Sequence, residues 1–277
     1  MTEHTILTMK LLLALLLAAS ASADNHCRGI YFNEKYYNVH IIKEGVNRID
    51  SLTLNRNDDI LYFTFDQIAS PPNRQVAYMD MDTKETKIVE GIDNATSIAI
   101  DQKYNKIYVG SRSGLYKINE RRQAELLPVR DDIRYVHFKD VLYFVNAKGE
   151  TYIFEDGLGV ALTELRDVKV DSLIVDNDNN VLFTRDKTLF RIKLGTRAVN
   201  IHEKVHVDVL STDVYVKAHV CAPNGVFVYN KYKFVLDKVA DMRDLRGLTF
   251  NKANEPVYAV KDLIIKLSEN PIPCFGD

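Results

Sequence analysis

One thirteen-residue pattern returns along this chain, and nothing constrains the fold more than that return. Ser172-Leu173-Ile174-Val175-Asp176-Asn177-Asp178-Asn179-Asn180-Val181-Leu182-Phe183-Thr184 reads as a strand, a polar turn and a second strand. Ser51 to Phe63 and Ser97 to Val109 match it without a gap, and Gly247 to Ala259 matches more loosely. The second residue is Leu52, Ile98, Leu173 or Leu248. The fifth is Asn55, Asp101, Asp176 or Asn251, and the eleventh and twelfth are Leu61-Tyr62, Ile107-Tyr108, Leu182-Phe183 and Val257-Tyr258. A fixed period of this kind announces an array of repeated units.

The spacing leaves room for two more copies. Tyr135 to Phe138 and Val141 to Phe144 supply one with a shortened turn, and Val209 to Thr212 and Val214 to Val216 supply the other. β-Rich outer segments follow each copy, among them Gly114–Ile118, Ala124–Leu127, Thr151–Phe154, Ala161–Leu165, Gly225–Tyr229 and Lys233–Leu236. The stretch Asp66 to Arg74 holds Pro71 and Pro72 and reads as a loop insertion in the first repeat. Six units of about four short strands, with no helical period between them, predict an all-β, six-bladed β-propeller.

The last unit stops at Pro271-Ile272-Pro273-Cys274, one strand short. The N-terminal segment Gly29 to Ile42 is β-rich and can supply that strand, closing the ring and leaving no edge to pair with other chains. Closure of this kind brings Cys27 and Cys274 into one blade. A disulfide between them would restrict nearly the whole chain, worth roughly 4 to 5 kcal/mol on chain-entropy arithmetic. Cys221 is left over.

Lys10, the apolar run Leu11 to Ala19 and the small residues Ala21-Ser22-Ala23 form a secretory signal pattern, with cleavage expected after Ala23. Residues 1–23 are therefore expected to be removed and 24–277 to form a single propeller domain. Secretion makes a disulfide plausible. It also makes Asn94-Ala95-Thr96 a candidate glycosylation site. The net charge of -2 offers no strong field for nucleic acid or an anionic membrane, and a soluble monomer is expected.

Motifs for chemistry are sparse. Asp176 to Asn180 resembles the start of a calcium loop, but the sixth and twelfth positions are Val181 and Lys187 rather than Gly and Glu. It reads instead as a hairpin turn. His202 and His206 are four apart, yet Val205, Val207 and Val209 alternate as a strand does, and no third ligand is placed to complete a zinc set. No nucleophile elbow, phosphate loop or dinucleotide fingerprint is present. No cofactor and no catalytic residue are expected.

Ligands of propellers bind at the mouth of the central channel, beside the segments leading into each innermost strand. The candidates there are Arg48, Asp50, Ser97, Arg134, Tyr135, Asp171 and Arg246. Arg48, Arg134 and Arg246 recur at nearly equivalent places. Three converging guanidinium groups would suit an anionic, aromatic ligand through carboxylate pairing and cation–π stacking. The alternative is that they link to Asp50, Asp132 or Asp244 beside them.

The chain also resembles the ommochrome-binding proteins of lepidopteran haemolymph. The resemblance lies in Cys27-Arg28-Gly29, in Ile42 to Arg48, in Ser97 to Lys103, in Ile107 to Ser111 and in Gly114 to Lys117. It implies a secreted haemolymph carrier of ommochromes, tryptophan-derived pigments of the xanthommatin type, as small-molecule partners. It carries no binding residues over. Two other classes fit a six-bladed propeller. One is a lactonase or gluconolactonase type of hydrolase with a divalent cation, for which Asp50, Asn94 and Asp171 are the available oxygen donors. The other is a protein-binding propeller.

Overall fold

The computed structural model describes residues 29–272, without the side chains of residues 201–204. The expected signal peptide, Cys27 and Cys274 lie outside the described residues. The described strands form six sheets arranged as a six-bladed β-propeller.

β1 (Gly29–Phe32) and β2 (Lys35–Lys43) form a hairpin. Blade one follows as β3 (Leu52–Asn55), β4 (Ile60–Gln67), β5 (Asn73–Asp80) and β6 (Thr86–Ile88). Blade two holds β7 (Ala95–Asp101), β8 (Lys106–Ser111), β9 (Gly114–Ile118) and β10 (Ala124–Leu126). Blade three holds β11 (Ile133–Lys139), β12 (Val141–Asn146), β13 (Thr151–Glu155) and β14 (Leu158–Ala161). Blade four holds β15 (Ser172–Val175), β16 (Asn180–Arg185), β17 (Thr188–Lys193) and β18 (Asn200–His206). Blade five holds β19 (Val209–Thr212), β20 (Ala218–Ala222), β21 (Gly225–Asn230) and β22 (Val235–Ala240). Blade six holds β23 (Leu245–Phe250), β24 (Pro256–Val260) and β25 (Leu263–Glu269).

The N-terminal hairpin completes blade six, as the missing strand required. β2 pairs antiparallel with β25, with Asn38 opposite Ser268, and β1 adds a fifth strand outside it.

The strands are continuously apolar because both faces are covered, each by a neighbouring blade. In blade four, Leu173, Val175, Val181 and Phe183 pack with Tyr143 and Val145 of blade three. Their neighbours Ile174 and Leu182 face the other way, onto Leu210 and Val220 of blade five. Each fully buried side chain of this size contributes roughly 1.5–3 kcal/mol. The core is thus a ring of interfaces between blades.

The fifth residue of the repeat caps the turn. Asp176 Oδ1 accepts the N–H of Asp178 at 2.9 Å and of Asn180 at 2.8 Å. Asp101 Oδ1 takes those of Lys103 and Tyr104 at 3.0 and 3.1 Å, and Asn251 Oδ1 that of Glu255 at 2.8 Å. Short Asn and Asp side chains can bond to main-chain groups two to four residues ahead, which holds the turn closed.

Three expected boundaries are corrected. Val214–Val216 is not the second strand of blade five. Asp213 Oδ1 accepts the N–H of Tyr215 and Lys217, both at 2.9 Å, so these residues form a capped turn and β20 follows it. Thr163–Leu165 is a single 3₁₀ turn, and β14 ends at Ala161. The insertion in blade one is a loop over 68–72 whose ends are strand: Asp66 pairs with Arg74 and Gln67 with Asn73, lengthening the β4–β5 hairpin.

Candidate functional site

The innermost strands of all six blades surround a central channel of about 730 Å³. Its entry mouth lies where these strands begin and carries Asp50, Asp208 and Arg246. Its turn mouth lies at the hairpin turns and carries Arg56, Lys103, Tyr104, Lys139, Asp140 and Asp213.

Hydroxyls on the innermost strands bridge one blade to the next. Ser51 Oγ accepts the N–H of Ile98 at 3.1 Å, and Ser97 Oγ accepts that of Val136 at 2.8 Å. Ser211 Oγ donates to the carbonyl of Leu248 at 2.7 Å, and Thr249 Oγ1 accepts the N–H of Leu54 at 3.1 Å. Innermost strands have no further strand to pair with, so these hydroxyls satisfy groups that would otherwise face the channel unbonded. Gly247 permits the closest of these approaches: a Cβ there would stand 2.5 Å from that of Leu52 in blade one.

The sequence candidates fall into two groups. Asp50, Ser97, Tyr135 and Arg246 line the channel together. Arg48, Arg134 and Asp171 stand outside its lining. Arg48 is exposed, 3.6 Å from both Asp50 and Asp66, and Arg134 is 2.8 Å from Asp132. The expected convergence of three arginines on the mouth is therefore not formed; two of them pair with aspartates, and Arg246 alone reaches the channel. Asp171 is exposed, and its N–H donates to the carbonyl of Thr184 at 2.8 Å. Asn94 is half-buried at φ 52°, with its N–H on Asn73 Oδ1 at 2.9 Å.

Two site residues escaped the sequence reading. Arg74, on the lengthened hairpin, makes a close ion pair with Asp50 and a 2.7 Å bond from Nε to Asp66 Oδ1. It neutralises the acid at the entry mouth, and its hydrogen bond holds the Asp66 carboxyl below the usual range. Arg56 lies at the turn mouth, where no binding group was sought. The insertion was the signal for Arg74, and Arg56 carried none.

Two channel residues have chemistry set by burial. Tyr135 is half-buried against the interface of blades three and four, and burial raises its phenol well above the usual value. His137 turns toward the main chain of Val175, and burial pushes it down to about 4, so it is neutral at physiological pH. Its Nε2 is enclosed without a hydrogen-bond partner among the described residues. The Cys221 thiol is buried and pushed up in the same way, leaving it inert as a nucleophile.

Among the described residues no three His, Cys, Asp or Glu side chains gather as a metal would require. The oxygen set Asp50, Asn94 and Asp171 does not assemble: Asp50 is held by Arg74, and neither Asn94 nor Asp171 lines the channel.

No protein-family model matches the chain. One curated protein aligns along most of it, at 22% identity over 246 residues, covering 86% of this chain and 90% of the other. The match is the ommochrome-binding protein of Manduca sexta, to which the chain is similar over most of its length. That similarity bears out the resemblance read from the sequence. Solved structures show how widely the fold is shared. A gluconolactonase from Xanthomonas campestris superposes with a TM-score of 0.67 at 10% identity, covering 87% of this chain and 92% of that one. A Bacteroides thetaiotaomicron protein of unknown function superposes at 0.63, also at 10% identity, covering 84% and 76%. Likeness at this identity concerns the propeller alone. No helix among the described residues is long and apolar enough to cross a membrane.

Proposed function

We propose that this protein is a secreted haemolymph carrier that holds an ommochrome pigment of the xanthommatin type in its central channel, without a cofactor or catalysis. The observation that carries the reading is Arg246. It lines the entry mouth, is exposed to the channel, and has no ion-pair partner among the described residues, in a chain similar to an ommochrome-binding protein. A free guanidinium offers a two-pronged contact to a carboxylate and a flat face to an aromatic ring. The channel volume falls in the range of small-molecule sites, and Ser51, Ser97, Ser211 and Thr249 set hydroxyls along its wall.

Absorbance titration with xanthommatin tests this directly. A saturable spectral shift at micromolar pigment, weakened in Arg246→Ala, is the expected result. No shift at that concentration overturns the reading. The lactone-hydrolysing alternative shares only its fold with the gluconolactonase, and it requires activity that a chelator abolishes. The pigment carrier is expected to be untouched by chelation.

A further inference from the structure

The turn mouth holds a cation, Arg56, that makes no ion pair among the described residues. Arg56 follows Asn55, the cap of the first turn of blade one, and its N–H donates to Gln102 Oε1 at 3.0 Å. Gln102 Nε2 in turn donates to the carbonyl of Leu54 at 2.8 Å. The main chain that carries Arg56 is thus tied to blade two on both sides. Its guanidinium lines the channel, half-buried, with no ion pair among the described residues. Burial lowers its pKa from the usual value, and the field of Asp213 opposes that shift. Asp213 Oδ1 caps its own turn through Tyr215 and Lys217, and the carboxylate makes no ion pair with Arg56. The other cations at this mouth are engaged: Lys139 lies 2.7 Å from Asp140, and Lys103 sits 4.9 Å from the centre of the Tyr104 ring.

The second unanswered guanidinium is Arg246, at the opposite mouth. The bond from Leu54 N–H to Thr249 Oγ1 puts those two residues level, and the approach of Gly247 to Leu52 confirms the register. Arg56 lies just past the end of β3 and Arg246 at the bulged start of β23, so the two stand at opposite ends of the innermost strands, on the order of 15 Å apart at roughly 3.3 Å per strand residue.

We propose that the channel is a two-ended clamp for an elongated dianion, with Arg246 taking one acidic group and Arg56 the other. The proposal rests on the reading of the channel as the site of an acidic aromatic ligand, and adds to it the length and the orientation of that ligand. A guanidinium partly removed from water gains most when a carboxylate replaces the lost hydration, which is the situation of the half-buried Arg56, whereas Arg246 offers its two-pronged contact from the open mouth. A ligand with one acidic group would satisfy one end and leave the other bare.

The test uses rod-shaped coloured probes with the full chain. Wild type, Arg56→Gln, Arg246→Gln and the double variant are titrated with azobenzene-4,4′-dicarboxylate, azobenzene-4-carboxylate and xanthommatin, with a melting curve for each variant to establish folding. The clamp predicts that wild type prefers the dicarboxylate over the monocarboxylate by about tenfold or more, as one added charge-assisted contact implies, and that either single variant erases the preference. Failure to bind the dicarboxylate, equal affinity for the two azobenzenes, or an unchanged preference in Arg56→Gln overturns it. The two readings separate cleanly. Xanthommatin binding without the length preference leaves the carrier and removes the clamp, whereas the preference without a xanthommatin shift leaves the clamp and removes the pigment.

Discussion

Ser97 Oγ, on the innermost strand of blade two, accepts the main-chain N–H of Val136 in blade three at 2.8 Å. Both groups are buried, and the bond joins two blades that no strand pairing connects. A residue that looked like a contact for ligand is in this respect a fastener of the ring.

Ser97→Ala should therefore lower stability more than it lowers affinity. The Val136 N–H would be left buried without an acceptor, at a cost of about 1–3 kcal/mol. Chemical denaturation should show that loss, while pigment titration changes by less than about twofold. The opposite pattern would return Ser97 to the binding surface.

Asp176→Ala should destabilise the fold by roughly 1–2 kcal/mol, as loss of a cap does. Both carboxylate oxygens are in use, Oδ1 on two main-chain N–H groups and Oδ2 on Asn180 Nδ2 at 2.8 Å. Millimolar calcium should leave the melting temperature of wild type unchanged. A calcium-dependent rise would restore the metal-loop interpretation of this turn.

His137 makes stability depend on acid. Its folded-state value, about 4, lies below that of a free imidazole, 6.5. The unfolded chain therefore takes up the proton first. Stability is complete above about pH 6.5 and declines as the pH falls towards 4, by an amount on the order of 3 kcal/mol if burial is maintained. His219, buried between Phe32 and Phe250, is depressed in the same direction by the same cause and adds to the slope. Melting curves from pH 7.5 to 4 should flatten in His137→Leu. An identical slope in that variant would rule His137 out as the cause.

Gly247→Ala should cost about 1–3 kcal/mol, because the added Cβ meets the side chain of Leu52 across the seam between blades six and one. Thermal denaturation should register it, and a variant with a wild-type melting temperature would show that the two blades can part locally.

The ring itself was legible because its signal is repeated and chemically simple. An apolar pair, a turn cap and a second apolar pair recur at fixed offsets, and each element has one physical job. Blade five hid its second strand because Val214 and Val216 are β-branched, and propensity suggested a strand where Asp213 closes a turn instead. Val216 adopts φ 58° there, a conformation that β-branched residues rarely take. The channel was harder to read. Arg48, Arg134 and Arg246 occupy similar places in the pattern, but what each side chain reaches depends on the acids near it. Asp66 reaches Arg48 only because the proline-bearing hairpin is lengthened. Arg56 could not be singled out, since a cation after a turn cap looks like an ordinary solvated residue until the ring closes around it.

The pairing of Asn38 with Ser268 joins positions near the two ends of the described chain. As the polypeptide emerges from the ribosome, β2 must wait through the synthesis of five blades before its partner strand exists. Contacts this distant in sequence form late, since their loop closure carries the largest entropic cost. Until then blade one has no neighbour on the side of Val257 and Ile264, and its Leu54 and Phe63 stay uncovered. β25, the last described strand, therefore converts an open, adhesive arc into a closed body, and truncation before Leu263 is expected to leave that arc unclosed.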